Sequence, residues 1–256
     1  MAEVPEKIFK KNCECRIRYV VKCFGIEGAI SIKYLNFAPN FIAVQKIVLS
    51  DILPEIFAGS SLQSDVWQTD VEFDKGRKYL VQADSGKGKS SLFGYVYGYR
   101  SDFEGKIFFD TTDIVAIDDK HWDSIRKHSL SILFQDLKIF PELTAWENIQ
   151  LKNKLTHHKS DSDIRRLLNR LEIADKADKL CEKLSWGQQQ RVAIVRAVCQ
   201  PFDFILLDEP ISHIDDRMAA VVADIITEEA DRQKAGVVVS SIGKSLPLRY
   251  DTTLNL

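Results

Sequence analysis

Residues Ala83-Asp84-Ser85-Gly86-Lys87-Gly88-Lys89-Ser90 fit the pattern G-x-x-x-x-G-K-[ST], except that Ala83 stands where the first glycine belongs. The chemistry of that pattern is phosphate binding. Glycines let successive backbone N–H groups curl around an anion, and a helix opening near Ser90 adds its positive dipole end. Lys89 would neutralise β- and γ-phosphate oxygens, and the Ser90 hydroxyl would ligate Mg²⁺. Asp84, Ser85, Gly86, Lys87, Gly88 and Ser91 complete the expected cradle. The tripeptide G-K-[ST] arises by accident in roughly one chain in eight of this length, so the strand before it and the helix after it must carry the assignment.

A second group is Asp208-Glu209, which ends the apolar run Phe204-Ile205-Leu206-Leu207 and precedes Pro210. Ligands of parallel sheets bind at the carboxyl ends of the strands, so two carboxylates there would face a nucleotide crevice. Asp208 can hold Mg²⁺ directly or through water, and Glu209 can polarise an attacking water.

The elements that must position these groups are legible in outline. Tyr79-Leu80-Val81 reads as a strand running into the glycine turn, and Ser90 with Leu92, Phe93 and Val96 opens a helix, the entry to an α/β unit. Leu130-Ser131-Ile132-Leu133-Phe134, Phe204–Leu207 and Val237-Val238-Val239 are apolar without alternation, which predicts parallel strands covered on both faces. Ile47-Val48-Leu49 and the alternating Val71 and Phe73 predict a small antiparallel β part ahead of the loop. Between Thr144 and Arg196 the pattern is helical, with Ile164, Leu167, Leu168 and Leu171 at i, i+3, i+4, i+7. The expectation is an α/β fold of the P-loop NTPase type: a mainly parallel sheet with a helical insertion at about 137–190.

Composition bounds the rest. The 256 residues hold 35 Lys+Arg against 37 Asp+Glu, a net charge of −2 that gives no global basic field for nucleic acid, and no nucleic-acid partner is expected. Charges such as Lys22, Glu27, Lys33 and Lys46 interrupt the most apolar stretch, and Lys7, Lys10 and Lys11 precede no apolar leader core. Five scattered cysteines fit a reducing compartment. Residues 1–45 stand apart and are read as an extension of uncertain order, with residues 46–256 as the working domain. A thiolate metal site at Cys13, Cys15 and Cys23 is the sharper alternative, but that spacing lacks paired C-x₂-C units.

Leu184-Ser185-Trp186-Gly187-Gln188-Gln189-Gln190-Arg191 resembles LSGGQ-QR, the signature of ABC ATPases. In that family's order, Gln135 looks like the Q-loop glutamine and Ser212-His213-Ile214-Asp215 like the D-loop. The resemblance covers roughly residues 46–256. It implies that two cassettes pack head to tail around two ATP molecules, with Ser185, Gly187 and Gln188 meeting the γ-phosphate held by the opposite Lys89. It further implies hydrolysis at Glu209, and Gln135 as the sensor of Mg²⁺ and the attacking water. A separate transmembrane permease would be the partner, the pair being a homodimer or a heterodimer with another ABC ATPase. The location implied is cytoplasmic, at the inner face of the cell membrane. Residues 134–149 are similar to the lipoprotein-release, macrolide-export and FtsE-like branch.

Departures from the family pattern carry their own expectations. Ala83 is tolerable if its backbone is not left-handed. Trp186 replaces the first glycine of the signature pair and must project away from the partner's phosphate. Ser241 follows strand Val237–Val239 where the family places a histidine on the γ-phosphate, and a serine there predicts slow hydrolysis. His213 is a candidate compensation, set against a surface histidine without a role. In the family the adenine-stacking aromatic precedes the phosphate-loop lysine by about 30 residues, and the resemblance thereby implies Phe57, with Trp67 as the poorer alternative. Two functions follow: an ATP-hydrolysing transporter subunit, or an ATP-dependent dimerising clamp with negligible turnover that regulates a membrane partner.

Overall fold

Alternate residues of the central strands feed two separate apolar cores, and this is why those strands read as unbroken hydrophobic runs. The computed structural model describes residues 43–59 and 62–256. The chain runs β1 (Lys46–Pro54), β2 (Asp70–Asp74), β3 (Lys78–Gln82), α1 (Lys89–Val96), β4 (Phe103–Phe109), β5 (Thr112–Asp113) and α2 (Asp119–His128). It continues through β6 (Leu130–Leu133), α3 (Ala145–Thr156), α4 (Asp161–Arg170), α5 (Trp186–Val198), β7 (Phe204–Asp208), α6 (Asp216–Gln233), β8 (Gly236–Ser241) and β9 (Thr252–Asn255). One sheet has the order β6-β7-β8-β3-β9 with every neighbouring pair parallel. The other is antiparallel with the order β2-β1-β4-β5.

Phe204 and Leu206 of β7, with Tyr79 and Val81 of β3, pack against β1, β2, β4, α1 and α2. Ile205, Leu207, Leu80, Val237 and Val239 pack on the opposite face against α3, α4, α5 and α6. Ligand-bearing residues at the strand ends therefore sit on a sheet clamped from both sides, which limits how far they can drift. The predicted helical stripe is realised in α4, where Ile164, Leu167 and Leu168 are buried and Ser160 caps the N-terminus. The capping box Thr144/Glu147 starts α3. Helix α5 passes position 190 without a break and buries Val192, Ile194 and Val195.

The expectations on Cys13, Cys15 and Cys23 lie outside the described residues. Val44 and Gln45, assigned to the extension by sequence, are tied into the folded domain. Val44 is fully buried and its N–H donates to Asp203 Oδ2 at 2.9 Å, while Gln45 N–H donates to Asp110 Oδ1 at 3.1 Å. Among the described residues, no helix is long and apolar enough to cross a membrane.

The insertion is tied to α6 by a buried ion pair: Lys159 Nζ lies 2.8 and 2.9 Å from the two Glu229 oxygens, with both side chains almost fully enclosed. Removing one partner leaves the other charge buried and uncompensated. Glu229→Ala is expected to destabilise the fold by about 3–5 kcal/mol, measured as a lower urea midpoint with an unchanged folded baseline.

Candidate functional site

The turn from β3 into α1 takes the shape its glycines permit. Gly86 and Gly88 have φ of 81° and 94°, whereas Ala83 has no positive φ, so the methyl group there costs little. A Cβ at Gly88 would stand 2.8 Å from the Trp67 ring, which excludes larger residues a second time. Trp67 is buried behind the loop and its Nε1–H donates to Lys87 O at 3.1 Å. Trp67 therefore props the loop and cannot offer a face to a base. Phe57 does line the cleft beside Gly86 and Gly88, together with Ile56, an exposed apolar residue that spacing alone did not single out.

Lys89 is buried, and its Nζ donates to Ala83 O at 3.1 Å and Asp84 O at 2.9 Å while standing 3.9 Å from Glu209 Oε1. Burial pulls its pKa down, opposed by the charges of Glu209, Asp208 and Asp84. Ser90 Oγ lies 2.6 Å from Asp208 Oδ2 and 3.0 Å from Gln135 Oε1, which brings β3–α1, β6 and β7 to one point. The Asp208 carboxyl is also bonded by the Ser240 hydroxyl from β8, and burial raises its pKa against those hydrogen bonds. Glu209 has a left-handed φ of 50° and its N–H donates to Ser240 O and Oγ at 3.3 and 3.2 Å. Burial raises its pKa too, with Lys89 opposing.

Three oxygens, Ser90 Oγ, Gln135 Oε1 and Asp208 Oδ2, thus meet with one hydroxyl proton among them. Hard oxygen donors crowded in this way suit a small divalent cation such as Mg²⁺. Ser90, Gln135 and Glu209 line both a cleft of about 260 Å³ beside the phosphate loop and a wider one of about 500 Å³ toward α5. Arg100, which sequence reasoning missed, lines both clefts and donates from Nη1 to Ser91 Oγ at 2.8 Å.

Ser241 is not brought into this cluster. It is buried, its hydroxyl donates to Lys244 O at 2.7 Å, and it lines neither cleft. The exposed Ile242 stands at the phosphate-loop cleft instead.

The signature-like octapeptide builds the start of α5. Ser185 is the N-cap and Gln188 closes a capping box with it, the Gln188 side chain accepting from Ser185 N–H at 3.0 Å. None of Ser185, Gly187 and Gln188 lines either cleft of the same chain. Gln189 Nε2 donates to Cys181 O and Leu184 O at 2.9 and 3.1 Å. Gln190 is buried, and its amide holds the loop after β7: Nε2 donates to Glu209 O at 3.1 Å and Ser212 Oγ at 3.3 Å, and Oε1 accepts from His213 N–H at 3.2 Å. Trp186 is 45% exposed and meets the His213 ring edge-on with centroids 5.6 Å apart.

Gly187 is required locally as well. A Cβ there would lie 2.7 Å from His213 O, a backbone atom that cannot step aside. Gly187→Ala is expected to cost about 1–3 kcal/mol through overpacking, visible as a lower thermal midpoint before any ligand is added.

Residues 67–212 match the family model described as ABC transporter. The glutamate/aspartate import ATP-binding protein GltL of Escherichia coli K12 is 34% identical over 175 residues, covering 66% of this chain and 71% of that protein. An uncharacterized ABC transporter ATP-binding protein of Mycobacterium tuberculosis H37Rv is 28% identical over 203 residues, or 78% of this chain, and the chain spans 62% of its length. Among solved structures, a dimeric post-hydrolysis state of an ATP-binding cassette bound to ADP and Pi superposes with a TM-score of 0.64 at 25% identity, covering 76% of this chain and 87% of that one. A bacterial Atm1-family ABC exporter with ATP bound shares the fold, with a TM-score of 0.62, 21% identity and coverage of 79% and 36%.

Proposed function

The chain belongs to the ABC transporter ATP-binding family, and we propose that it is the ATP-binding and ATP-hydrolysing subunit of such a transporter, working as a pair on a separate membrane permease. The observation that carries this reading is the meeting of Lys89, Ser90, Gln135, Asp208 and Glu209 at one mouth, from three segments far apart in sequence. Loop amides of Asp84–Ser91 would hold the phosphates, Lys89 would swing from the Ala83 and Asp84 carbonyls to the β- and γ-oxygens, and Phe57 would pack on the base. Ser90, Gln135 and Asp208 would hold Mg²⁺, which supplies charge neutralisation for the transferred phosphoryl group. Glu209, held by β8 through its backbone N–H, would orient the attacking water.

Ser185, Gly187 and Gln188 have no phosphate loop of their own chain to serve. This supports a head-to-tail pair in which each α5 start closes the other copy's triphosphate. The pair would sit at the cytoplasmic face of the membrane, where α3 and α4 of the insertion would meet the permease. The glutamate/aspartate relative is named as an import protein and lends no weight to the export-type branch, so direction and cargo stay outside the proposal.

A second reading, a clamp that binds ATP and dimerises with little turnover, is favoured by the withdrawal of Ser241 from the cluster. Titration of the purified chain with MgATP, followed by light scattering, tests what the two readings share. Saturable binding with a doubling of mass is expected; no uptake at millimolar nucleotide would remove both.

A further inference from the structure

The loop after β7 holds an imidazole fixed in place by its neighbours. His213 is anchored at three points. Its backbone N–H donates to Gln190 Oε1 at 3.2 Å, its Nδ1 lies 2.9 Å from Ser212 Oγ, and its ring is packed by Trp186. The first contact decides how the Gln190 amide is turned. A backbone N–H can only donate, so Gln190 must present its oxygen there and its NH₂ to Glu209 O and Ser212 Oγ. The Ser212 oxygen then accepts from Gln190, and its own O–H has His213 Nδ1 within reach as an acceptor. An Nδ1 that accepts leaves the ring proton on Nε2.

We propose that Gln190, Ser212 and His213 form a relay that presents His213 Nε2–H as a pre-set hydrogen-bond donor to the terminal phosphate of ATP. The side chain lines the 500 Å³ cleft that also holds Ser90, Asp208 and Glu209, and this cleft adjoins the phosphate-loop cleft through Ser90, Gln135 and Glu209, which line both. No other histidine lines either cleft, and at the end of β8 Ser240 bonds Asp208 and Glu209 while Ser241 turns to Lys244 O. A fixed N–H donor aimed at developing negative charge stabilises a transition state without reorganisation, and Trp186 keeps the ring from rotating away. The unusual tryptophan at the start of α5 thereby gains a purpose within its own chain.

This inference rests on the ATPase reading, and the experiment separates the two. Histidine-specific isotope labelling and NMR of the nucleotide-free protein read the tautomer directly, with the His213 signal assigned by its loss in His213→Gln. The expected result is a pyridine-type Nδ1 and a protonated Nε2, and an Nε2 resonance that moves with the magnesium complex of the β,γ-imido analogue of ATP but not with MgADP. In turnover, His213→Ala should lower kcat about 100-fold with KM within twofold, and His213→Gln, which keeps a side-chain N–H donor, should recover at least part of it. A proton on Nδ1, an unmoved resonance with the analogue demonstrably bound, or unchanged kcat in His213→Ala would overturn the relay and leave the ATPase reading standing. Failure of the parent protein to bind any nucleotide would remove the ATPase reading and this inference with it.

Discussion

Lys89→Ala is expected to weaken nucleotide binding by about 10–100-fold, the worth of one or more charge-assisted hydrogen bonds to phosphate. Two features of the structure place the effect at the large end. The ammonium is already desolvated, so its attraction to a triphosphate is poorly screened, and it stands 3.9 Å from Glu209 as the cation that offsets the carboxylates at the strand ends. Its removal therefore takes away a ligand and also leaves Asp208 and Glu209 to repel the incoming anion. Isothermal titration with MgATP measures the loss. A matched urea midpoint for the variant would show that the loop still folds, because Trp67 and the Ala83 amide hold it independently of Lys89. Unchanged affinity would mean that the loop binds phosphate without its lysine, and the proposed role would be withdrawn.

Glu209→Gln should produce the larger kinetic effect. Loss of a general base typically costs 10²–10⁴-fold, and here the amide preserves volume and the left-handed backbone while removing the acceptor charge. Hydrolysis should fall about 100-fold or more, and ATP that is bound but not cleaved should hold the pair together. Multi-angle light scattering after gel filtration in MgATP would then show a stable dimer for the variant and a mixture or monomer for the parent. The same comparison separates the two functional readings. A motor loses measurable turnover on substitution, whereas a clamp shows equal, near-zero rates before and after.

What could be read from the chain follows from where the physics is local. Lys89, Ser90, Asp208 and Glu209 each sit where a glycine turn or an unbroken apolar run ends, and such punctuation survives without tertiary knowledge. Strand β4 is not legible in the sequence because the exposed Glu104, Gly105 and Lys106 interrupt its apolar residues, and β9 is not because Thr252–Asn255 is short and only half covered. Gln188, Gln189 and Gln190 look alike in sequence yet cap a helix, hold two carbonyls and lock a loop, since helical rotation turns each toward a different neighbour. The choice between Phe57 and Trp67 needed the path of the chain before β2, which decides which ring lies behind Gly88. The contact of Ser241 was hidden for a similar reason: its hydroxyl is bonded to Lys244 O across the turn around Gly243, which has a φ of 69°.

Gln190 binds the start of α5 to the loop behind β7 with a single amide. In a head-to-tail pair the first of these addresses the twin's triphosphate and the second the chain's own, so the two occupancies share one mechanical joint. Linkage then requires reciprocity: whatever affinity the first ATP confers on the second, the second confers equally on the first. Uptake by the pair should be sigmoidal, and the steepness of that curve should be set by one glutamine that touches neither ligand.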